Sequence, residues 1–157
     1  KGRMHTLRLI REMLYFEPKG RGTNLAAALE YTNKLLNRRA VIFVISDFLA
    51  DDFTKPLTVA GRRHDVVAMP ITDPGEEHLP DVGRITFEDA ETGEQIEIDT
   101  SSRALRNQFA TEQSRREKAL EKLFRTRGLD VVSLATNEDY LIALRSFFAR
   151  RERRMAA

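Results

Sequence analysis

The chain has 157 residues, of which 41% are hydrophobic and 32% are charged; its formal net charge is +2 and it contains no cysteine. This balance is typical of a globular domain with its own core, and the lack of cysteine excludes disulfides and thiolate metal sites and favours a cytoplasmic location. Since no apolar run approaches the roughly 20 residues that span a bilayer, we expect no membrane contact from this segment.

Charged side chains are unevenly distributed along the chain. Residues 1–39 carry about nine basic and three acidic side chains, whereas residues 40–102 carry about fourteen acidic and four basic ones. Such segregation indicates electrostatic complementarity with a partner or between the protein's own faces, with plain solvation as the alternative. The basic segments lack interleaved exposed aromatic residues and any nucleic-acid-reading motif, so we expect no nucleic-acid partner.

The first predicted elements are two helices and a strand. Apolar residues recur at helical spacing over residues 6–15, and Pro18 and Gly20 then interrupt the pattern. Thr23 opens a second helix, because it precedes another amphipathic stretch. The continuous apolar run at 40–46 predicts a strand that is buried on both faces.

The next elements form a parallel crossover. A short helix begins near Asp51 or Asp52 and tolerates Pro56 only near its first turn. A second apolar run predicts a buried strand over residues 65–72, which ends at Asp73. Strand, helix and strand in this order imply two parallel strands that are joined right-handedly.

The second half predicts a hairpin, a long helix, a strand and a last helix. Alternating residues near 84–99 indicate an antiparallel β-hairpin. The helix over 102–127 stops at Gly128, and its polar middle, "QSRREK", either faces a partner or is simply solvated. A third parallel strand follows at 129–136. Thr136 and Asp139 then resemble a capping box at the start of the last helix.

Together these elements predict one α/β domain over residues 1–157, with a Rossmann-like parallel sheet, flanking helices and a hairpin insertion. Three strands make a thin sheet, and the strand at 40–46 is too apolar for a free edge. We therefore expect strands to be missing, and expect this segment either to form a homodimer through the open edge or to cover that edge with its N-terminal helix.

Polar residues follow the predicted parallel strands where open α/β sheets bind ligands. They are Ser46 with Asp47, then Asp73, and then Thr136 with Asn137. The alternative is that these aspartates cap their own loops and helices, as short acidic residues after strands often do. Thr23 has a similar alternative as an ordinary helix N-cap.

Two motifs in this order resemble the von Willebrand factor A fold: "GRGTNLAAALE" at a helix start and an apolar strand that ends in "ISDF". Longer stretches, including "RRHDVVAMPITDPGE", "LPDVGRITFEDAETGE" and "GLDVVSLATNEDYLIALRSFFARRERR", resemble the bacterial family catalogued as domain of unknown function fifty-eight. This resemblance extends over nearly the whole chain. It implies a von Willebrand factor A-like, Rossmann-like fold.

The resemblance also implies a metal-ion-dependent adhesion site. Thr23 matches the metal-site threonine and Asp47 the metal-site aspartate, with Ser46 and Asp73 at the periphery. The Asp-x-Ser-x-Ser motif that supplies the main ligands is absent from this sequence. We therefore expect these residues to be the C-terminal part of a longer protein that binds Mg²⁺ or another divalent cation. We expect no firmly bound metal in this part alone, since Mg²⁺ requires more oxygen ligands.

By the same resemblance, the expected function is that of a non-enzymatic interaction module. Its partner is an AAA+ ATPase of the MoxR type, and the expected process is chaperone-like assembly or metal insertion. Some similar proteins carry membrane segments upstream. We therefore expect the intact protein to be cytoplasmic or, as the alternative, to be anchored in a membrane by a segment upstream of these residues.

The alternative to an interaction module is an enzyme. It would be a Mg²⁺-dependent phosphoryl-transfer or hydrolytic α/β enzyme that uses Asp47 and Asp73. Other chemistry has less support, because Ser46 lacks the Gly-x-Ser-x-Gly elbow and the three histidines have no metal-binding spacing. We expect His64 at a helix end, where its charge complements the helix dipole.

Overall fold

A computed structural model of the chain describes residues 2–17, 22–50, 52–89 and 93–156. Helices alternate with parallel strands within these ranges, which confirms the predicted α/β class. The elements are α1 (Arg3–Tyr15), α2 (Leu25–Leu35), β1 (Val41–Ser46), α3 (Thr54–Arg63), β2 (Asp65–Thr72), β3 (Arg84–Glu88), β4 (Gln95–Asp99), α4 (Arg103–Thr126), β5 (Asp130–Val131), β6 (Leu134–Ala135) and α5 (Tyr140–Ala156).

Strand β2 is the centre of the parallel sheet. On one side it pairs with β1, from Asp65 opposite Val41 to Pro70 opposite Ser46. On the other side it pairs first with β5 and then with β6. The predicted third strand is therefore split in two, although the amide of Val132 between its parts still donates to the carbonyl of Ala68 at 2.9 Å. Strands β3 and β4 form the predicted antiparallel hairpin.

The sheet has a core on each face, because successive β2 side chains point to opposite sides. Val66 and Ala68 belong to a core cluster with α2, α3 and α4, to which Leu29, Leu57 and Phe124 also belong. Val67 and Met69 instead pack with Phe147 of α5. Strand β2 is thus buried on both faces, as its apolar run predicts.

The prediction that β1 is buried on both faces is wrong for the described residues. Val44 points into the core and is 6% exposed, but Val41, Phe43 and Ile45 on the opposite face are 54%, 43% and 60% exposed. The reason is the position of β1 at the edge of the sheet. Helix α5 covers part of this face, since the ring centroid of Phe148 lies 6.3 Å from that of Phe43.

The prediction that the N-terminal helix covers this edge is also wrong. Helix α1 buries none of its residues, and Leu7, Ile10 and Leu14 are 49%, 47% and 77% exposed. The homodimer expected as the other way of covering the edge stays a prediction.

Two helix starts differ from those predicted. Asn24, not Thr23, caps α2, since its side chain accepts the amide of Ala27 at 2.8 Å. At α5, the carboxylate of Asp139 accepts the amide of Leu141 at 2.9 Å, whereas Thr136 points elsewhere. Thr, Asn and Asp are all favoured at the N-cap position, so the sequence does not show which of two nearby candidates caps the helix, and the backbone geometry decides it.

Helix α3 begins at Thr54, after Phe53 at its N-cap position, rather than near Asp51 or Asp52 as predicted. Pro56 nevertheless lies in its first turn, and Gly128 follows α4 in the left-handed conformation, with φ +64°, both as predicted. His64 ends α3 as predicted, but the residue is 3% exposed and neither ring nitrogen has a hydrogen-bond partner among the described residues. None of the helices in the described ranges combines the length and the apolar composition needed to cross a lipid bilayer.

Candidate functional site

The segment after β1 turns sharply through hydrogen bonds from its own side chains. The hydroxyl of Ser46 accepts the amide of Phe48 at 3.0 Å, and Oδ1 of Asp47 accepts the amide of Leu49 at 3.0 Å. The same Oδ1 also lies 3.4 Å from the hydroxyl of Ser46, which donates to it. Asp47 therefore stabilises its own loop, as the capping alternative predicts, but with one carboxylate oxygen only.

Phe48 holds this turn in an unusual backbone conformation. Its φ is +54°, in the left-handed region that costs a residue with a side chain about 1–2 kcal/mol. Packing compensates, because the ring is 3% exposed and lies 5.4 Å from Phe53 and 5.1 Å from Phe124, centroid to centroid. The buried ring thereby leaves the neighbouring Asp47 exposed, and Oδ2 of Asp47 accepts no hydrogen bond from the described residues.

Asp73 follows β2 in the same way, but both of its carboxylate oxygens are engaged. Oδ1 accepts the amide of Gly75 at 2.7 Å and Oδ2 accepts the hydroxyl of Thr136 at 2.8 Å. The Gly75 bond and then the Thr136 bond hold the pKa of Asp73 below its ordinary value, because both stabilise the charged form. Asp73 thus ties the end of β2 to the segment between β6 and α5.

Thr23 lies exposed immediately before the α2 cap. The first residue of α2, Leu25, packs against the core cluster that contains Val44 and Phe48. The segments that carry Thr23 and Asp47 therefore both adjoin this cluster, although 24 positions separate the two residues in the sequence. Their assignment to a metal site stays a prediction.

A complete metal site does not form from the residues described. No three His, Asp or Glu side chains within the described ranges group so that they could hold an ion. Asp47 offers one unengaged carboxylate oxygen, and Thr23 would add one hydroxyl. Mg²⁺ requires near-octahedral oxygen coordination, so the two side chains fit the role of partial ligands and the remaining ligands would have to come from elsewhere.

A cleft next to Asp47 was not predicted from the sequence. It has a volume of about 370 Å³ and lies between the carboxyl ends of β1 and β2 and the middle of α4. Part of the lining is apolar and is called the floor here; it includes Leu49, Pro70, Ile71, Leu120, Phe124 and Val131. Six carboxylates also line the cleft and are called the rim: Asp47, Asp73, Glu76, Glu77, Glu117 and Glu121.

One sequence signal pointed towards this cleft. The polar middle of the long helix, "QSRREK", supplies four of the lining residues, Gln113, Ser114, Arg116 and Glu117. Gln113 also donates from Nε2 to the carbonyl of Glu76 at 3.1 Å, which joins α4 to the segment after β2. The helical period alone does not indicate which polar residues face a concave surface, because that depends on the packing of α4 on the sheet.

Known proteins with similar sequences are bacterial and uncharacterised. The family model described as "Protein of unknown function DUF58" matches residues 1–119. Uncharacterised proteins of Mycobacterium bovis and Mycobacterium tuberculosis are each 32% identical over 155 residues, which is 97% of this chain and 49% of theirs. An uncharacterised protein of Mycobacterium avium is 31% identical over 137 residues, or 87% of this chain and 80% of that protein. No solved structure matches the chain.

Proposed function

Because the chain belongs to the DUF58 family of proteins of unknown function, we propose that it is a non-enzymatic module that binds another protein at the carboxyl edge of its sheet. The observation that carries this proposal is the exposed carboxylate of Asp47 beside a cleft with an apolar floor. Exposed apolar surface next to a charged group is typical of a protein contact. The chain spans about half the length of the M. bovis and M. tuberculosis relatives.

The proposed partner is an AAA+ ATPase of the MoxR type. Support for it comes from the resemblance in the sequence and from the open, acidic character of this edge. The process would be chaperone-like assembly or metal insertion, in which the module presents a client or a binding surface to the ATPase.

The proposed contact involves a divalent cation in the intact protein. Thr23 and Asp47 carry oxygen donors, which Mg²⁺ prefers, and other ligands would come from residues outside this stretch. The cation would supply the positive charge that attracts a carboxylate of the partner. The loop's own hydrogen bonds from Leu49 and Ser46 both go to Oδ1 of Asp47, so Oδ2 is not used by them.

A pull-down of the ATPase with the intact protein tests this proposal. We expect Asp47→Ala and the presence of a chelator each to weaken ATPase capture at least about tenfold, which corresponds to about 1.4 kcal/mol. Glu30→Ala on the exposed surface of α2 is the matched control and should leave capture unchanged. Metal-mediated binding would be contradicted if, without chelator, Asp47→Ala captured as much ATPase as the wild type, and if the chelator left capture by the wild type unchanged.

The phosphoryl-transfer or hydrolytic alternative has weaker support, because both oxygens of Asp73 already accept hydrogen bonds that give this carboxylate a structural role. A Mg²⁺-dependent phosphatase assay of the intact protein separates the two functions. Activity that disappears in Asp47→Asn would favour the enzyme over the interaction module.

A further inference from the structure

The cleft beside Asp47 has an apolar floor that the protein's own side chains leave open. Leu49 is 50% exposed and Ile71 is 36% exposed, and both line the cleft. Phe124, which is 1% exposed, is a buried member of the same lining. A volume of about 370 Å³ lies within the range of roughly 300–1,000 Å³ typical of ligand clefts. The floor therefore suits a few apolar side chains of a partner.

The charge of the rim determines which apolar partner segments can bind, because it favours those that also carry positive charge. Six of the lining residues are carboxylates and one is an arginine, Arg116, which leaves an excess of five negative charges when His78 is neutral. None of the six carboxylates forms an ion pair with another described residue. Unpaired charge of one sign around a concave surface attracts the opposite sign and repels its own.

Strand β2 offers little free backbone where it meets the cleft. Pro70 is opposite Ser46 at the end of β1, whereas Ile71 and Thr72 pair with β6 on one side and extend beyond the end of β1 on the other. Two residues are shorter than the usual strand of three to ten residues, so recognition here would depend mainly on side chains. The opposite wall is helix α4, and a second helix packs on a helix at about 8–10 Å between axes.

From these observations we propose that the cleft is the docking groove for a cationic amphipathic helix of a partner protein. Apolar residues of that helix, spaced i, i+3 or i+4, and i+7, would contact Leu49, Ile71 and Leu120. Lysine or arginine residues beside them would face the carboxylates of the rim, such as Glu117 and Glu121 on α4. This inference rests on the proposed interaction function and specifies the chemistry of the partner segment.

Fluorescence anisotropy with designed peptides tests the groove on the intact protein. The probe is a helical peptide with leucines at i, i+3, i+4 and i+7 and lysines flanking them; its matched control has glutamate at every lysine position. We expect the cationic peptide to bind and to lose affinity as salt rises, and the anionic peptide not to bind. Equal binding of the two peptides would overturn the proposal.

Charge reversal on α4 locates the binding site. Glu117→Lys/Glu121→Lys should weaken binding of the cationic peptide at least about tenfold. Leu49→Ser should also weaken it, because it removes part of the apolar floor. The matched control is Glu30→Lys/Glu152→Lys, which reverses two exposed helical glutamates outside the cleft. Unchanged binding by Glu117→Lys/Glu121→Lys would overturn the proposal.

Two further results separate this inference from its alternatives. If Asp47→Ala no longer captures the ATPase in the pull-down but Glu117→Lys/Glu121→Lys still does, the proposed interaction function is supported and the proposed groove is refuted. Helix α1 is itself cationic and amphipathic, so a second copy is a competing occupant. Self-association that disappears both with Glu117→Lys/Glu121→Lys and with Arg8→Glu/Arg11→Glu would overturn the assignment to a separate partner.

Discussion

Asp47 and Asp73 follow neighbouring parallel strands, but their carboxylates have different surroundings. Asp73 accepts bonds at both oxygens, one of them from Thr136, which lies 63 positions further along the chain. Asp47 uses one oxygen for its own loop and leaves the other unengaged by the described residues. The capping alternative therefore accounts for Asp73 fully and for Asp47 only in part, which is why Asp47 is the residue to test first.

Thr136→Val should raise the pKa of Asp73 towards its ordinary value. The substitution removes the hydroxyl that stabilises the carboxylate, while the Gly75 amide continues to lower the pKa. A pKa that is depressed in the folded state adds stability above the unfolded value, about 3.9, and this stability is lost as pH falls through the folded pKa. In Thr136→Val, the loss of stability on going from pH 6 to pH 3 should therefore be smaller.

Carbon-13 NMR titration of the Asp73 carboxyl measures the pKa, and urea unfolding at the two pH values measures the stability. Thr111→Val is the matched control, because the hydroxyl of Thr111 donates within α4 to the carbonyl of Asn107. An Asp73 titration that is the same in wild type and Thr136→Val would show that the hydroxyl does not stabilise the charge.

At the level of elements, helix ends and turns decide where the polar residues lie. Gly128 ends α4 with φ +64° and lets the chain reverse into β5, and a β-carbon built there would meet no atom within 4 Å. Phe48 adopts a similar conformation after β1 without being glycine, at an energetic cost that its aromatic packing offsets. The first of these turns follows from the residue type, and the second depends on the core.

Gly128→Ala should lower the free energy of unfolding by about 1–2 kcal/mol, because alanine is strained at this φ although it has room. Gly128→Asn should lose less, since asparagine tolerates the left-handed region better than alanine. Urea unfolding curves of the three proteins give the comparison. If Gly128→Ala were as stable as the wild type, the left-handed conformation of this residue would be refuted.

Over the whole molecule, charge is separated along the strand direction. The last turns of α2, α3, α4 and α5 carry basic residues, and these helices end at the amino edge of the sheet. There Arg151 of α5 pairs with Asp65 and Asp130, the first residues of β2 and β5. The cleft residues make the carboxyl edge acidic. Basic residues at helix C-termini complement the helix dipoles, so the separation stabilises the fold and also polarises the surface.

The open face of β1 predicts self-association of these 157 residues when they are expressed alone. Val41, Phe43 and Ile45 lie on one exposed face of an edge strand, and uncovered apolar edges pair with other chains. Analytical ultracentrifugation should detect a dimer at micromolar concentration. Ile45→Lys should weaken this dimer, whereas Ile96→Lys on the exposed hairpin should not. A monomer at all concentrations would contradict the prediction.

Local sequence patterns were sufficient to predict the order of the helices and strands and the type of each. The apolar run at 65–72 became β2 with the same bounds, and Gly128 ended the long helix as predicted. The carboxyl-edge positions of Ser46, Asp47 and Asp73 also followed from the sequence, because parallel strands joined by helices place their ends at one edge. These features depend on periodicity and residue conformation, which a short stretch of sequence contains.

Only the tertiary structure decided how those residues are used. It joined Asp73 to Thr136, exposed one face of β1, and brought Glu76 and Glu117 to the same cleft from segments 41 positions apart. Each of these outcomes depends on which distant segments pack together, and the polarity of a single residue carries no information about its partner. The amino-acid sequence by itself therefore determined the α/β framework and the edge that bears the candidate site, whereas long-range packing determined which carboxylates remain open to a ligand.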